Sequence, residues 1–120
     1  MEQVDYNHRT SFRILLDGIY EGRYFYICQN GGYPVAYVQL KSGESDDMDK
    51  CDHIRVHGGV TYLDKLSWDT NNSKYLGWDY VHAGDCIRMA TSLGWSEGKR
   101  WTTEEIYEEV KSVIAQLNGD

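Results

Sequence analysis

His57, Asp79, His82 and Asp85 are the side chains whose types and spacing best suit chemistry in this chain. Imidazole nitrogens and carboxylate oxygens keep lone pairs at neutral pH, so together they could hold a divalent metal and activate water against a phosphoester. Asp79, His82 and Asp85 recur at intervals of three, which brings them round a helical turn or a tight loop; His57 can join from a neighbouring strand. Two other readings use the same residues. In one, His57 donates to Asp79 while Asp85 caps the next helix, giving a polar network that fixes a strand crossing and is stable only when every buried member is satisfied. In the other, a small-ligand pocket of the nucleotide-binding kind, the histidines with Arg55 or Arg88 hold an anionic group and Tyr62, Trp78 or Tyr80 stacks on a planar one. No HExxH or CxxC ligand motif is present, nor a phosphate-binding glycine loop with its lysine, nor a serine elbow. Cys86 follows His82 by four residues, yet fits the apolar side of a short helix better than the role of a nucleophile.

These residues need elements to carry them. Val56-His57-Gly58-Gly59 and Trp78 to Asp85 both end in glycine, which tolerates positive φ and close backbone approach, so the four ionisable groups are expected to converge where two strand ends meet. Upstream, Phe12, Ile14 and Leu16 alternate with Ser11, Arg13 and Leu15 and predict a half-buried strand closed by a turn at Asp17-Gly18. Arg23 to Cys28 is aromatic and β-branched throughout, a central strand. Asn30-Gly31 then predicts a type I′ hairpin corner into a strand from Tyr33 to Leu40, with Pro34 at its start.

Residues 41 to 52 carry Glu44, Asp46, Asp47, Asp49 and Asp52 without apolar period, and predict an exposed acidic loop lacking the glycine and closing glutamate of a calcium-binding loop. Ile54 and Val56 predict a strand that Val60 to Leu63 continues, and Tyr75 to Val81 predicts another, with Tyr75, Gly77, Asp79 and Val81 on one face and Leu76, Trp78 and Tyr80 on the other. Asp85 is placed to cap a short helix lined by Cys86, Met89, Ala90 and Leu93. The final helix has a capping box at Thr102 and Glu105, a Trp101–Ile106 staple, an apolar stripe of Ile106, Val110, Val113, Ile114 and Leu117, and an outer face that includes Glu108, Glu109, Lys111, Ser112 and Gln116. The first ten residues read as a frayed start. Short connections favour antiparallel pairing, so the expected architecture is α+β: a single domain over residues 1–120, with a mostly antiparallel sheet of four to six strands covered by the C-terminal helix.

VHGGVTY and YLGWDYVHAGD together resemble the paired motifs, VHGG(L/I/V)T(Y/F) and W-x-G-(F/W)-D-x-x-H-x-G-D, of a family of small proteins common in phages and prophages. The resemblance extends over residues 24 to 117. It departs where KSGESDDMDK replaces a segment rich in proline and glycine, and the N-terminal two dozen residues have the character of an addition. It implies a genomic setting and a candidate site, and no particular reaction.

Composition bounds the partners. Nineteen acidic residues against twelve Lys and Arg give a net charge of −7, which disfavours direct binding to nucleic acid and suits a basic protein surface. Ten Tyr, four Trp and two Phe supply much of the bulk, and that aromatic richness also admits a homodimer. No membrane-spanning run and no secretory leader is legible, so the expected location is the host cell cytoplasm. The three cysteines are widely spaced and odd in number, which favours reduced thiols over a disulfide or zinc framework. The expected function is that of an acidic phage-type protein which inhibits or modulates a host component, for example one of defence. A metal-dependent hydrolase of phosphoesters or nucleotides and a small-ligand binding protein are the alternatives. No cofactor is required, with a divalent metal as the option.

Overall fold

Alternating side chains and glycine corners build one antiparallel sheet. The computed structural model describes residues 1–7, 11–44, 51–81, 85 and 98–119. Its elements are β1 (Phe12–Tyr20), β2 (Arg23–Asn30), β3 (Tyr33–Gln39), β4 (Tyr62–Lys65), β5 (Lys74–Asp79) and α1 (Thr103–Leu117). The strands lie in the order β1-β2-β3-β5-β4, each antiparallel to its neighbour. The α+β architecture with a C-terminal helix against the sheet is therefore the one expected.

Facing positions sort the sheet into two surfaces. Phe25, Ile27, Ala36, Val38, Leu76 and Trp78 bury themselves under Ile106, Val110, Val113, Ile114 and Leu117 of α1. The opposite surface is aromatic: Tyr26, Cys28, Val35 and Tyr75 are buried there with Leu66, and Tyr24, Tyr33, Tyr37, Tyr62 and Trp68 pack round them. α1 begins with the expected capping box, Glu105 N–H donating to Thr102 Oγ1 at 3.2 Å and Thr102 N–H donating to Glu105 Oε1 at 3.0 Å. A salt bridge from Lys99 at 2.8 Å and the Thr102 backbone bond hold the Glu105 carboxyl below its ordinary pKa.

Several expectations are corrected. β1 does not turn at Asp17-Gly18 but runs to Tyr20, and the corner is Glu21-Gly22, with φ of 48° and 83°. Gly18 stays in the strand beneath the Phe25 ring, and Asp17 accepts a hydrogen bond from the Tyr24 hydroxyl. The β2–β3 corner is Gly31-Gly32, because Asn30 still pairs with Tyr33. Leu15 is the extra residue of a bulge in β1 between Ile14 and Leu16, and it and Leu16 both turn toward the helix side.

Ile54 and Val56 form no strand. The Arg55 backbone is held instead by the Gln116 side-chain amide, which accepts from its N–H at 2.7 Å and donates to its C=O at 2.8 Å. One side chain thus satisfies what a ladder partner would have satisfied. The N-terminus is docked rather than frayed: Tyr6 is buried, and Gln29 both accepts from the Asp5 N–H and donates to the Asp5 carbonyl. The acidic loop is not wholly solvated, since Glu44 reaches into the core and Cys51 is buried. The helix expected after Asp85 lies outside the described residues.

Candidate functional site

His57 and Asp85 meet, as the paired glycine-ended motifs suggested. His57 Nε2 lies 2.8 Å from Asp85 Oδ2, and a carboxylate acceptor puts the ring proton on Nε2. The Trp101 indole N–H donates to the other oxygen, Oδ1, at 3.0 Å. The carboxylate is nearly sealed, with 2% of its side chain exposed, whereas the imidazole keeps 26%. Asp85 reaches this position through a parallel bridge to Lys99, just before the helix entry.

Two aromatic rings close around the pair. His57 stacks on Tyr80 at 5.1 Å and 9°, Trp101 lies 4.8 Å from His57 at 55°, and Tyr80 and Trp101 are 4.8 Å apart. Below them a polar chain continues inward: the Trp78 indole donates to the Tyr80 hydroxyl at 2.9 Å, and that hydroxyl donates to Glu109 Oε1. Burial and the Glu109 bond push the Tyr80 phenol far above its ordinary pKa. Glu109 is therefore a partner of the sheet, contrary to its assignment to the outer face of the helix. Trp101 is likewise more than a hydrophobic staple, for the Tyr6 hydroxyl donates to its C=O at 3.1 Å and accepts from its N–H at 2.8 Å. The cluster joins the 57 loop, the end of β5, the helix entry and the N-terminal segment.

Asp79 does not join it. Its neighbours in β5 and beyond, Trp78 and Tyr80, point toward α1, and strand alternation sends Asp79 to the aromatic surface. There it accepts from the Thr61 hydroxyl at 3.2 Å and lines a recess of about 170 Å³ with Tyr33, Tyr37, Tyr62 and Thr61. Burial raises the Tyr37 phenol to a pKa of about 12. Tyr62, another predicted ligand contact, thus belongs with Asp79 and away from His57. Trp78 and Tyr80 are 1% and 0% exposed, so neither offers a face to a ligand. Arg55 is exposed, and its backbone is held by the Gln116 side-chain amide. His82 and Arg88 lie outside the described residues. Among those residues no three His, Cys, Asp or Glu side chains are grouped to hold a metal, and no helix is long and apolar enough to cross a membrane.

Sequence reasoning missed a second buried charge. Arg23, 1% exposed, donates through Nη1 and Nη2 to the two Glu44 oxygens at 2.6 and 2.8 Å, through Nε to Asn118 Oδ1 at 2.8 Å, and through Nη1 to the Gln39 carbonyl at 3.1 Å. A bidentate pair with further acceptors is the geometry that makes a buried guanidinium tolerable. Its only signal in the sequence was an arginine opening an otherwise apolar strand. No family model matches this chain, nor does any curated protein or solved structure.

Proposed function

We propose that this protein acts by binding a macromolecular partner and that, on its phage-type resemblance, the partner is a host component whose activity it blocks or modulates. The observation that carries the reading is β1. It is a nine-residue edge strand paired only to β2 among the described strands, and it exposes Phe12 (41%), Ile14 (40%) and Ile19 (72%). Backbone groups on such an edge can accept an added strand, and apolar side chains beside them give it grip. The other edge, β4, has four residues and carries Asp64 and Lys65, the short charged form that discourages pairing. A net charge of −7 favours a basic partner. The His57–Asp85 cluster supports the same reading, since its rings and carboxylate fasten four segments together and work as a structural lock.

The test is affinity capture from host lysate by the wild type and by an Ile14→Lys, Ile19→Lys variant, at low and high salt. The expected result is one defined partner held by the wild type, lost by the variant, and weakened by salt because ions screen exposed charge. Equal capture by both proteins would remove the edge strand from the reading. Self-association alone, seen by sedimentation of the purified protein, would replace the host partner with a second copy of the chain.

A further inference from the structure

Lys65 and Lys74 stand directly opposite each other at the end of the β4–β5 ladder, an arrangement of like charges that destabilises a sheet. Lys41 follows β3 at the same end, and all three line one cleft of about 290 Å³ together with Ser42, Asn72 and Ser73. Among the described residues no carboxylate lies within ion-pair distance of these ammonium groups. Ser73 Oγ accepts from the Gln39 amide at 2.9 Å, which leaves its hydroxyl proton to donate. In a chain of net charge −7, three lysines are thus gathered on one cleft, while the nearby Glu44 and Asp64 carboxylates accept from the backbone N–H groups of Lys41 and Lys65.

We propose that this cleft binds the phosphate group of a small molecule. Lysines from three segments, the turn after β3, β4 and β5, line the cleft with compact point charges, which suit a tetrahedral dianion better than a planar carboxylate, the natural match of an arginine fork. A cavity of about 290 Å³ sits at the small end of ligand pockets and holds a phosphate with a modest substituent. A nucleic acid backbone would meet the negative remainder of the surface. A single phosphate, within a screening length of all three lysines, would not. β4 and β1 are opposite edges of the sheet, so this site stands or falls independently of partner docking at β1.

The experiment is an NMR titration with inorganic phosphate and with pyrophosphate, against sodium chloride at matched ionic strength, paired with thermal melts. Expected are saturable shifts at the amides of Ser42, Gly43, Lys65 and Lys74, and a melting temperature that rises with phosphate. Lys65→Gln and Lys74→Gln should each weaken binding about tenfold, the loss that goes with one charge-assisted hydrogen bond. Should a strand variant fail to fold, Lys41→Gln lies in the turn and carries the same tenfold expectation. Shifts that follow ionic strength whichever anion is added, or variants that titrate like the wild type, would overturn the proposal. Tighter binding of a single-stranded oligonucleotide at the same amides would overturn the small-molecule source.

Discussion

On the α1 side of the sheet, aliphatic residues and Trp78 close against a helix that contributes Ile106, Val110, Val113, Ile114 and Leu117. On the other side the strands present tyrosines, covered by Leu66 and Trp68 from the β4–β5 connection. One carboxylate serves two of that surface's buried tyrosines at once: Asp69 accepts from the Tyr26 and Tyr75 hydroxyls at 3.0 and 3.1 Å. The difference teaches how a small chain covers two faces with one helix. Aliphatic groups cannot tolerate water and need the continuous stripe of α1, whereas tyrosine carries a hydroxyl that bonds to a loop or to solvent while its ring fills space. The aromatic face can therefore stay partly open, with its recess beside Asp79 and exposed Ile14 and Ile19 next to it.

The largest expected effect comes from breaking the sealed face. Val110→Asp places a carboxylate where the side chain is fully buried and should cost about 4 kcal/mol or more, enough to remove the cooperative melt seen by circular dichroism. On the open face, Trp68→Ala removes ring contacts to Phe12 at 4.6 Å, Tyr26 at 5.6 Å and Tyr37 at 5.7 Å. Because Trp68 is only partly buried, its expected loss is smaller, about 2 kcal/mol by urea titration. Gly77→Ala sharpens the same comparison: an added Cβ would lie 2.6 Å from Tyr37 Cδ1, so the tyrosine ring must move. An expected loss of about 1–2 kcal/mol accompanied by altered near-ultraviolet dichroism would place the strain on the aromatic face.

Alkaline pH should act through the tyrosines. Burial and the bonds to Asp69 raise the Tyr26 and Tyr75 phenols above their ordinary value of 10.0, and burial raises Tyr37 to about 12. A phenol whose folded pKa is raised contributes stability that is fully present below pH 10 and is lost as pH climbs through the folded values. The urea midpoint should accordingly fall above pH 10, and Tyr75→Phe should make that fall shallower. The smallest effect is Ile19→Lys. Its side chain is exposed, so a change within about 0.5 kcal/mol is expected, and a larger loss would mean that the β1 edge is covered in the isolated protein.

The expected convergence of four ionisable groups shows where the sequence was legible and where it was not. Alternation along Tyr75 to Val81 correctly put Trp78 and Tyr80 on one face and Asp79 on the other, and that same alternation separates Asp79 from His57. The meeting of His57 with Asp85 was legible because both stand beside glycines at the ends of their segments. Trp101 and Glu109 were not, since nothing in helix periodicity distinguishes a flanking side chain that faces solvent from one that reaches a sheet hydroxyl. Arg55 and Gln116 are sixty-one positions apart, and no local pattern signals that an amide will stand in for a strand partner.

Local chemistry therefore determined the strands β2, β3 and β5, the capped helix with its buried stripe, and the antiparallel class, because periodicity, glycine corners and caps act within a few residues. Long-range packing decided the rest. It chose Glu21-Gly22 over Asp17-Gly18 as the first corner, since the β1–β2 ladder continues through Asp17↔Tyr26 and Gly18↔Phe25 as far as Tyr20↔Arg23. It also buried Arg23 against Glu44 and drew Lys41, Lys65 and Lys74 to one cleft. Charges interact through space, and which of them become neighbours depends on strand order, a property of the whole sheet that no short stretch of the chain contains.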